Sequence, residues 1–253
     1  MPCAGQWNGF EPMDMPRLAI VAALEREVRP LVKSWRVTEK EHEGRRFRFF
    51  ENEDVVLVCG GVGAGAARRA AEAVIAIFGP EIVCSTGFAG ALGPTLKVGD
   101  LVQPRTVINA GDGSRTAVQG GTGVLVSFGS VASPAQKLKL RESFAAEAVD
   151  MEAAAVARSA EARGKQFTVL KAISDEVDFE FPAMERFVEP DGSFSERRFA
   201  WYAAVRPWLW PQVARLARNS GRASRVLCEW IKTMPADSNL SNSGVRREAV
   251  EPR

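Results

Sequence analysis

Ile82-Val83-Cys84-Ser85-Thr86-Gly87-Phe88-Ala89-Gly90-Ala91 opens on a short apolar run, Ile82 to Gly87, and closes on three small residues. The run has the length and composition of a strand buried on both faces, and Ala89-Gly90-Ala91 reads as a small-residue turn that ends it. Just upstream, Gly79-Pro80 stops a helix rich in Ala and Arg over Ala66–Phe78, since a glycine past the last turn followed by proline cannot continue it. Before that helix, Asp54–Cys59 forms a strand that pairs with Arg45–Phe50 across a Glu51-Asn52-Glu53 turn and runs into Gly60-Gly61-Val62-Gly63-Ala64-Gly65. Leu18–Ala23 is a further buried strand, feeding a helix at Glu25, Glu27 and Val28. Downstream, Leu101-Val102, Val107-Ile108, Val124–Ser127, Ala146–Val149 and Phe167–Ile173 read as strands, 110–123 as a glycine-rich connection, and Glu152–Arg163 as a helix with Gly164 beyond its end. Short apolar strands alternating with helices predict an α/β fold, a three-layer α/β/α arrangement around a central mixed, largely parallel sheet, with helices added at the C-terminus. Ligands of such sheets lie at the carboxyl ends of strands, so the functional candidates follow Ala23, Cys59, Thr86, Val149 and Ile173.

Outside this pattern the chain changes character. Residues 1–16 carry Gly, Pro and Asn without periodicity and read as a flexible tail, with Met15 as a second candidate start. Residues 17–232 are expected to form one domain that includes an aromatic and basic helical segment over 181–232, and the polar residues 233–253 a disordered tail. Positions 197–232 hold eight Lys or Arg against one acid, Glu229, although the whole chain is only +2. The same stretch contains Trp201, Trp208, Trp210, Trp230 and the only tyrosine, Tyr202, while Pro207 and Pro211 should divide it into two or more helices.

Composition removes several function classes. A hydrophobic content of 46% and 25% charged residues describe an ordinary globular protein. The small net charge offers no global field for nucleic acid. No run approaches the roughly 18 apolar residues of a membrane span, and the N-terminus lacks a signal-peptide pattern, so the protein reads as cytosolic. Cys3, Cys59, Cys84 and Cys228 form no C-x-x-C pair and read as free thiols. The only histidine, His42, lies in the charged run Glu39–Arg46, a solvated turn by appearance. Catalysis through an imidazole and metal sites built on histidine therefore have almost no candidate, and proton transfer falls to carboxylates. Gly61-Val62-Gly63-Ala64-Gly65-Ala66 scans as a dinucleotide fingerprint, but the confirming acid about 20 residues on must end the next strand. Glu81 begins it instead. Close backbone approach to another ligand, or tight helix packing, accounts equally well for the glycines.

Three acids do stand at strand ends: Glu27, Glu152 and Asp175. Each has a plain alternative. Glu152 suits a helix first turn, Asp175 an N-cap, Glu27 a solvated helix face, and Met151 the core. The surrounding wording is what separates the readings. Ala23-Leu24-Glu25-Arg26-Glu27-Val28, Gly61-Val62-Gly63, Ser85-Thr86-Gly87-Phe88-Ala89-Gly90-Ala91-Leu92, Val149-Asp150-Met151-Glu152-Ala153-Ala154-Ala155 and Ala172-Ile173-Ser174-Asp175 occur in one order. That order, over residues 17 to 178, resembles the nucleoside phosphorylase superfamily and, within it, the methylthioadenosine/S-adenosylhomocysteine nucleosidases. The resemblance implies that Asp175, oriented by Ser174, is the general acid that protonates or hydrogen-bonds the purine N7 and that Glu27 positions the attacking water. It implies that Glu152 binds the ribose hydroxyls with Met151 packed on the sugar, and that Gly63, Thr86, Gly87 and Phe88 border the substrate. These roles make chemical sense, because breaking an N-ribosidic bond builds positive charge on the sugar and negative charge on the base.

Leu24-Glu25-Arg26-Glu27 stands where the superfamily's phosphorylases place an arginine-bearing phosphate segment, and its acids suit water better than an anion. Hydrolysis without cofactor or metal is the expectation. The alternatives are a phosphate-dependent phosphorylase and a non-catalytic nucleotide-binding protein at a membrane. Phe88 replaces the small or hydroxyl residue of T-G-S-A-G, and Phe128 is the candidate for stacking on the base. In the C-terminal part, Pro190-Asp191-Gly192, Arg206-Pro207-Trp208-Leu209-Trp210-Pro211 and Leu216-Ala217-Arg218-Asn219-Ser220 are similar to the tail of hopanoid-associated phosphorylase-like proteins, nucleosidases that remove adenine from adenosylhopane. That likeness implies a lipid-linked nucleoside substrate, and Arg with Trp on amphipathic helices also suits peripheral contact of 197–232 with an anionic inner membrane. Burial of the aromatic residues against the domain or a dimer partner is the competing reading, and a homodimer is expected.

Overall fold

The computed structural model describes residues 16–180, 184–187, 189, 192 and 194–233, so the two expected tails fall almost wholly outside it. In chain order the elements are β1 (Leu18–Ala22), α1 (Glu25–Val32), β2 (Arg36–His42), β3 (Arg45–Asn52), β4 (Val55–Cys59), α2 (Ala64–Phe78), β5 (Ile82–Ala91), β6 (Leu101–Val102), β7 (Thr106–Asn109), β8 (Arg115–Ala117) and β9 (Val124–Ser127). They continue with α3 (Pro134–Phe144), β10 (Ala148–Asp150), α4 (Ala153–Ala162), β11 (Gln166–Asp175), α5 (Glu196–Ala204) and α6 (Trp210–Thr233).

The strands form one mixed sheet in the order β2-β3-β4-β1-β5-β10-β9-β7-β8, with β11 on β5 and β6 on β11. β1, β4, β5 and β11 run parallel, while β10 meets β5 antiparallel. Alternation along β1 shows why three layers form. Ala19 and Val21 pack with α2 and α4, through Ala70, Val74, Val156 and Ala160. Ile20 and Ala22 face the opposite way, against Val28 and Leu31 of α1 and Ala223 and Leu227 of α6. Leu227 is fully buried, a contribution of about 1.5–3 kcal/mol. The far half of α6 is therefore core, and Ser224 and Cys228 donate to the carbonyls of Arg26 and Glu27 on α1.

Several local expectations need correction. Lys40 to His42 belong to β2, and the turn is only Glu43-Gly44, both with positive φ as a two-residue hairpin requires. β3 extends to Asn52, so its turn is Glu53-Asp54, with Glu53 at φ 43°. The glycine-rich connection holds β8, a short strand on β7. α3 had no expectation. It begins at a capping box of Ser133 and Gln136 with Pro134 in its first turn. Ala89-Gly90-Ala91 is no turn, for β5 runs straight through it. The prolines behave as expected: α5 stops before Pro207, and Pro211 occupies the first turn of α6.

Candidate active site

The extension of β5 explains where the carboxylates meet. Along one edge, β1 pairs with β5 only from Ile82 to Ser85, and β10 takes over at Gly90 and Ala91. Thr86 to Ala89 lie between them, at the kind of crevice where an α/β sheet takes its ligand. On the other edge β11 stays in register to Ala89, then shifts so that Ser174 is an extra residue and Asp175 comes opposite Gly90. Such a bulge re-aims a side chain. Glu27 arrives on α1 from past the end of β1, and Asp150, Met151 and Glu152 arrive from the end of β10, which runs back along β5. Glu27, Asp150, Met151, Glu152, Ser174 and Asp175 all line one pocket.

The small residues of β5 make room for these acids. A Cβ on Gly87, whose φ is 130°, would lie 2.6 Å from Glu27 Oε2, and one on Gly90 would lie 2.7 Å from Asp175 Oδ2. The glycine loop before α2 has a matching use. Gly63, at φ 91°, donates its backbone N–H to Glu152 Oε1 at 2.8 Å.

Burial sets the electrostatics. It pushes the Glu27 carboxyl up, against the attraction of Lys171 and Arg26. It pushes Glu152 up to about 7, helped by the negative charges of Asp150 and Glu27 and opposed by Lys171 and the Gly63 N–H. Two buried lysines stand behind the acids. Lys171 on β11 is 2.9 Å from Asp150 Oδ2 and donates to Thr86 O at 3.3 Å. Burial alone would lower its pKa, but Asp150, Glu152 and Glu27 outweigh that and hold it raised. Lys137 on α3 donates to Asp175 Oδ2 at 2.5 Å and to Glu176 O at 2.7 Å, while Ser174 Oγ donates to Asp175 Oδ1 at 2.8 Å.

The C-terminal segment closes one wall. Phe194 lines the pocket under the Arg26 guanidinium, which lies 5.0 Å from the ring centre. Val62 donates to Gly192 O at 2.6 Å, and a Cβ on Gly61 would meet Gly192 at 2.8 Å.

Of the residues expected here, Glu27, Glu152, Asp175, Met151, Ser174 and Phe88 line the pocket. Gly63 and Gly87 support it from behind through the contacts above. Thr86 does not line it: its hydroxyl donates to Leu170 O at 3.0 Å inside the sheet. Phe128 lines a neighbouring pocket with Arg68 and Arg158, across Met151, whereas Val131 and Ala132 line the candidate site. Asp175 is the last residue of a strand and not an N-cap. Glu81 pairs with Arg17 at 3.7 Å at the opposite end of β5, which removes the dinucleotide reading. Sequence reasoning missed Lys137, Lys171, Phe194 and any separate task for Asp150. Lys171 was visible as a charge inside the apolar run Phe167–Ile173, whereas nothing around Lys137 marks it as buried.

The family model described as the phosphorylase superfamily matches residues 17–134 and 122–197. The aminodeoxyfutalosine nucleosidase of Campylobacter jejuni is 27% identical over 198 residues, 64% of this chain and 86% of that protein. The 5'-methylthioadenosine/S-adenosylhomocysteine nucleosidase of Actinobacillus succinogenes is 30% identical over 203 residues, 65% and 87% respectively. Among solved structures, the futalosine hydrolase of Helicobacter pylori superposes with a TM-score of 0.63 at 20% identity, over 87% of this chain and 99% of that one.

Proposed function

The chain belongs to the phosphorylase superfamily, and from that premise we propose that it is a nucleosidase, hydrolysing the N-ribosidic bond of a 5′-substituted adenosine to release adenine. One observation carries this reading. Glu27, Glu152 and Asp175, from distant parts of the chain, line a single pocket. As the C1′–N9 bond breaks, its electron pair moves to the purine, and Asp175 protonates N7. Glu152, held by Gly63, accepts the ribose hydroxyls, and its charge favours the cationic sugar. Met151 packs on the ribose. Glu27 takes a proton from the water that attacks C1′, a task suited to a carboxyl whose pKa burial has raised. Hydrolysis is favoured over phosphorolysis because the lining holds four acids, Glu27, Asp150, Glu152 and Asp175, against Arg26 and Lys137. Incubation with 5′-methylthioadenosine should yield free adenine and free methylthioribose, at a rate indifferent to millimolar phosphate. Release that requires phosphate would make the protein a phosphorylase, and intact nucleoside after binding would make it non-catalytic.

The C-terminal segment supports a finer reading, a lipid-linked substrate delivered at a membrane surface, and the resemblance of the chain adds a dimer. No helix among the described residues is long and apolar enough to cross a membrane. Trp201, Trp208 and Trp210 are nevertheless 73%, 70% and 56% exposed, amid the arginines of 197–225, a combination that suits an anionic interface. Flotation with vesicles containing anionic lipid should carry the protein upward, and changing all three tryptophans to alanine should leave it at the bottom. Equal flotation of both proteins would refute the membrane role.

A further inference from the structure

Lys137 is a fully buried cation whose partners are the candidate acid Asp175, at 2.5 Å, and the carbonyl of Glu176. Both Lys137 and Asp175 line the pocket. The pair is pressed against Gly90, where a Cβ would come within 2.7 Å of Asp175 Oδ2 and 3.3 Å of Lys137 Cε. No other charge in the described contacts of this lysine competes for it. The Glu176 side chain turns to the exposed Lys97 at 3.7 Å, Arg141 of α3 lies against Gly93, and Glu27, Asp150, Glu152 and Arg26 belong to the other walls of the pocket. A carboxyl that must give up a proton needs either to store one or to receive one during the reaction. Ser174 Oγ donates to Oδ1 and Lys137 Nζ to Oδ2, an arrangement that suits a carboxylate and not a stored proton.

We propose that Lys137 is a positioning residue for the reaction that also supplies its proton, with Asp175 acting as the shuttle between Lys137 and the purine. This rests on the nucleosidase reading above. As C1′–N9 breaks and its electron pair enters the base, a proton passes from Lys137 Nζ to Asp175 and from Asp175 to N7. Lys137 is left as a neutral amine and Asp175 as a carboxylate. The attacking water gives its proton to Glu27, which releases it to solvent, and Lys137 regains one from solvent, so protons balance over a turnover.

The test is the pH profile of adenine release from 5′-methylthioadenosine by wild type, Lys137→Met and Lys137→Arg. In Lys137→Met the Asp175 carboxyl must hold its own proton, so activity survives only at low pH. The alkaline limb of kcat should move down by at least about one pH unit, roughly tenfold in rate on that limb for each unit, with KM changed by less than about threefold. Lys137→Arg, which keeps the cation but cannot give up its proton, should lose activity across the whole pH range. If thermal melting shows that Lys137→Met does not fold, the same profile is read on Lys137→Gln. A Lys137→Met limb superposed on that of wild type, a Lys137→Met loss uniform across pH, or wild-type activity in Lys137→Arg would overturn the role of Lys137 while leaving the nucleosidase reading intact. Failure of wild type to release adenine would remove the nucleosidase reading itself.

Discussion

Two buried lysine–aspartate pairs flank the pocket, and they are built for opposite purposes. Around Asp150 three donors converge. Oδ1 takes the Ser127 hydroxyl at 2.6 Å, and Oδ2 takes the Ala153 N–H at 2.8 Å together with Lys171 at 2.9 Å. Ser127 in turn accepts the Ala154 N–H at 2.9 Å, so the start of α4 is tied to this carboxylate. Asp175 has one donor on each oxygen and keeps a lone pair of each for the pocket. Lys171 lies behind the sheet wall, whereas Lys137 lines the pocket. The same two residue types thus make a structural clamp where a third donor ties the carboxylate to the start of a helix, and a reactive group where two donors leave it open to the pocket.

Replacing each aspartate by asparagine is the sharpest way to break that comparison. Asp175→Asn removes the group that passes the proton to the purine but can turn its amide so that oxygen still faces Lys137 and nitrogen faces Ser174. Adenine release should fall by about 10²–10⁴-fold, with a small change in melting temperature, because Lys137 keeps the Glu176 carbonyl and an amide oxygen in place of the carboxylate. Asp150→Asn leaves Lys171, which does not line the pocket, without its contact counter-charge. That should cost about 3–5 kcal/mol of stability, read by chemical denaturation. If the two variants lose stability equally, or Asp175→Asn stays active, the division between clamp and reactive group is wrong.

How much of this the sequence disclosed follows from which physical signals are local. β1, β4, β5 and β11 were legible because an apolar run bounded by glycine or an acid is a one-dimensional pattern, and Glu27, Glu152 and Asp175 because they follow such runs. The end of β5 was misjudged. Gly87 and Gly90 look like turn residues until the carboxylates of Glu27 and Asp175, 60 and 85 positions away in the chain, are seen to fill the space a Cβ would take. Lys137 was invisible for a related reason. α3 shows no clean apolar stripe, and neighbours such as Lys139 and Arg141 make a solvated face the natural expectation; only the fold brings Asp175 against it. Phe128 lines the neighbouring pocket on the other side of Met151, a placement that no local pattern in the sequence specifies.

The smallest effect concerns what the site costs the fold. The Glu152 carboxyl is raised from an ordinary value near 4.5 to about 7 by burial, then by the charges of Asp150 and Glu27. Between those two values the unfolded chain has released its proton while the folded protein still holds it, so the unfolded state binds fewer protons and stability falls as pH rises. Above pH 7 the loss is complete and constant. Glu152→Gln cannot ionise, yet its amide oxygen can still accept the Gly63 N–H. The variant should therefore melt increasingly above wild type as pH goes from 5 to 8, by a few degrees at the upper end, although it turns over 5′-methylthioadenosine far more slowly. In wild type, kcat/KM should rise through about pH 7 as Glu152 gains the charge that the sugar needs. A melting difference that stays flat, or that shrinks with pH, would mean that Lys171 neutralises Glu152 fully. In that case the cation behind the sheet would serve the reactive acids as much as the clamp, and the two pairs would no longer be separate devices.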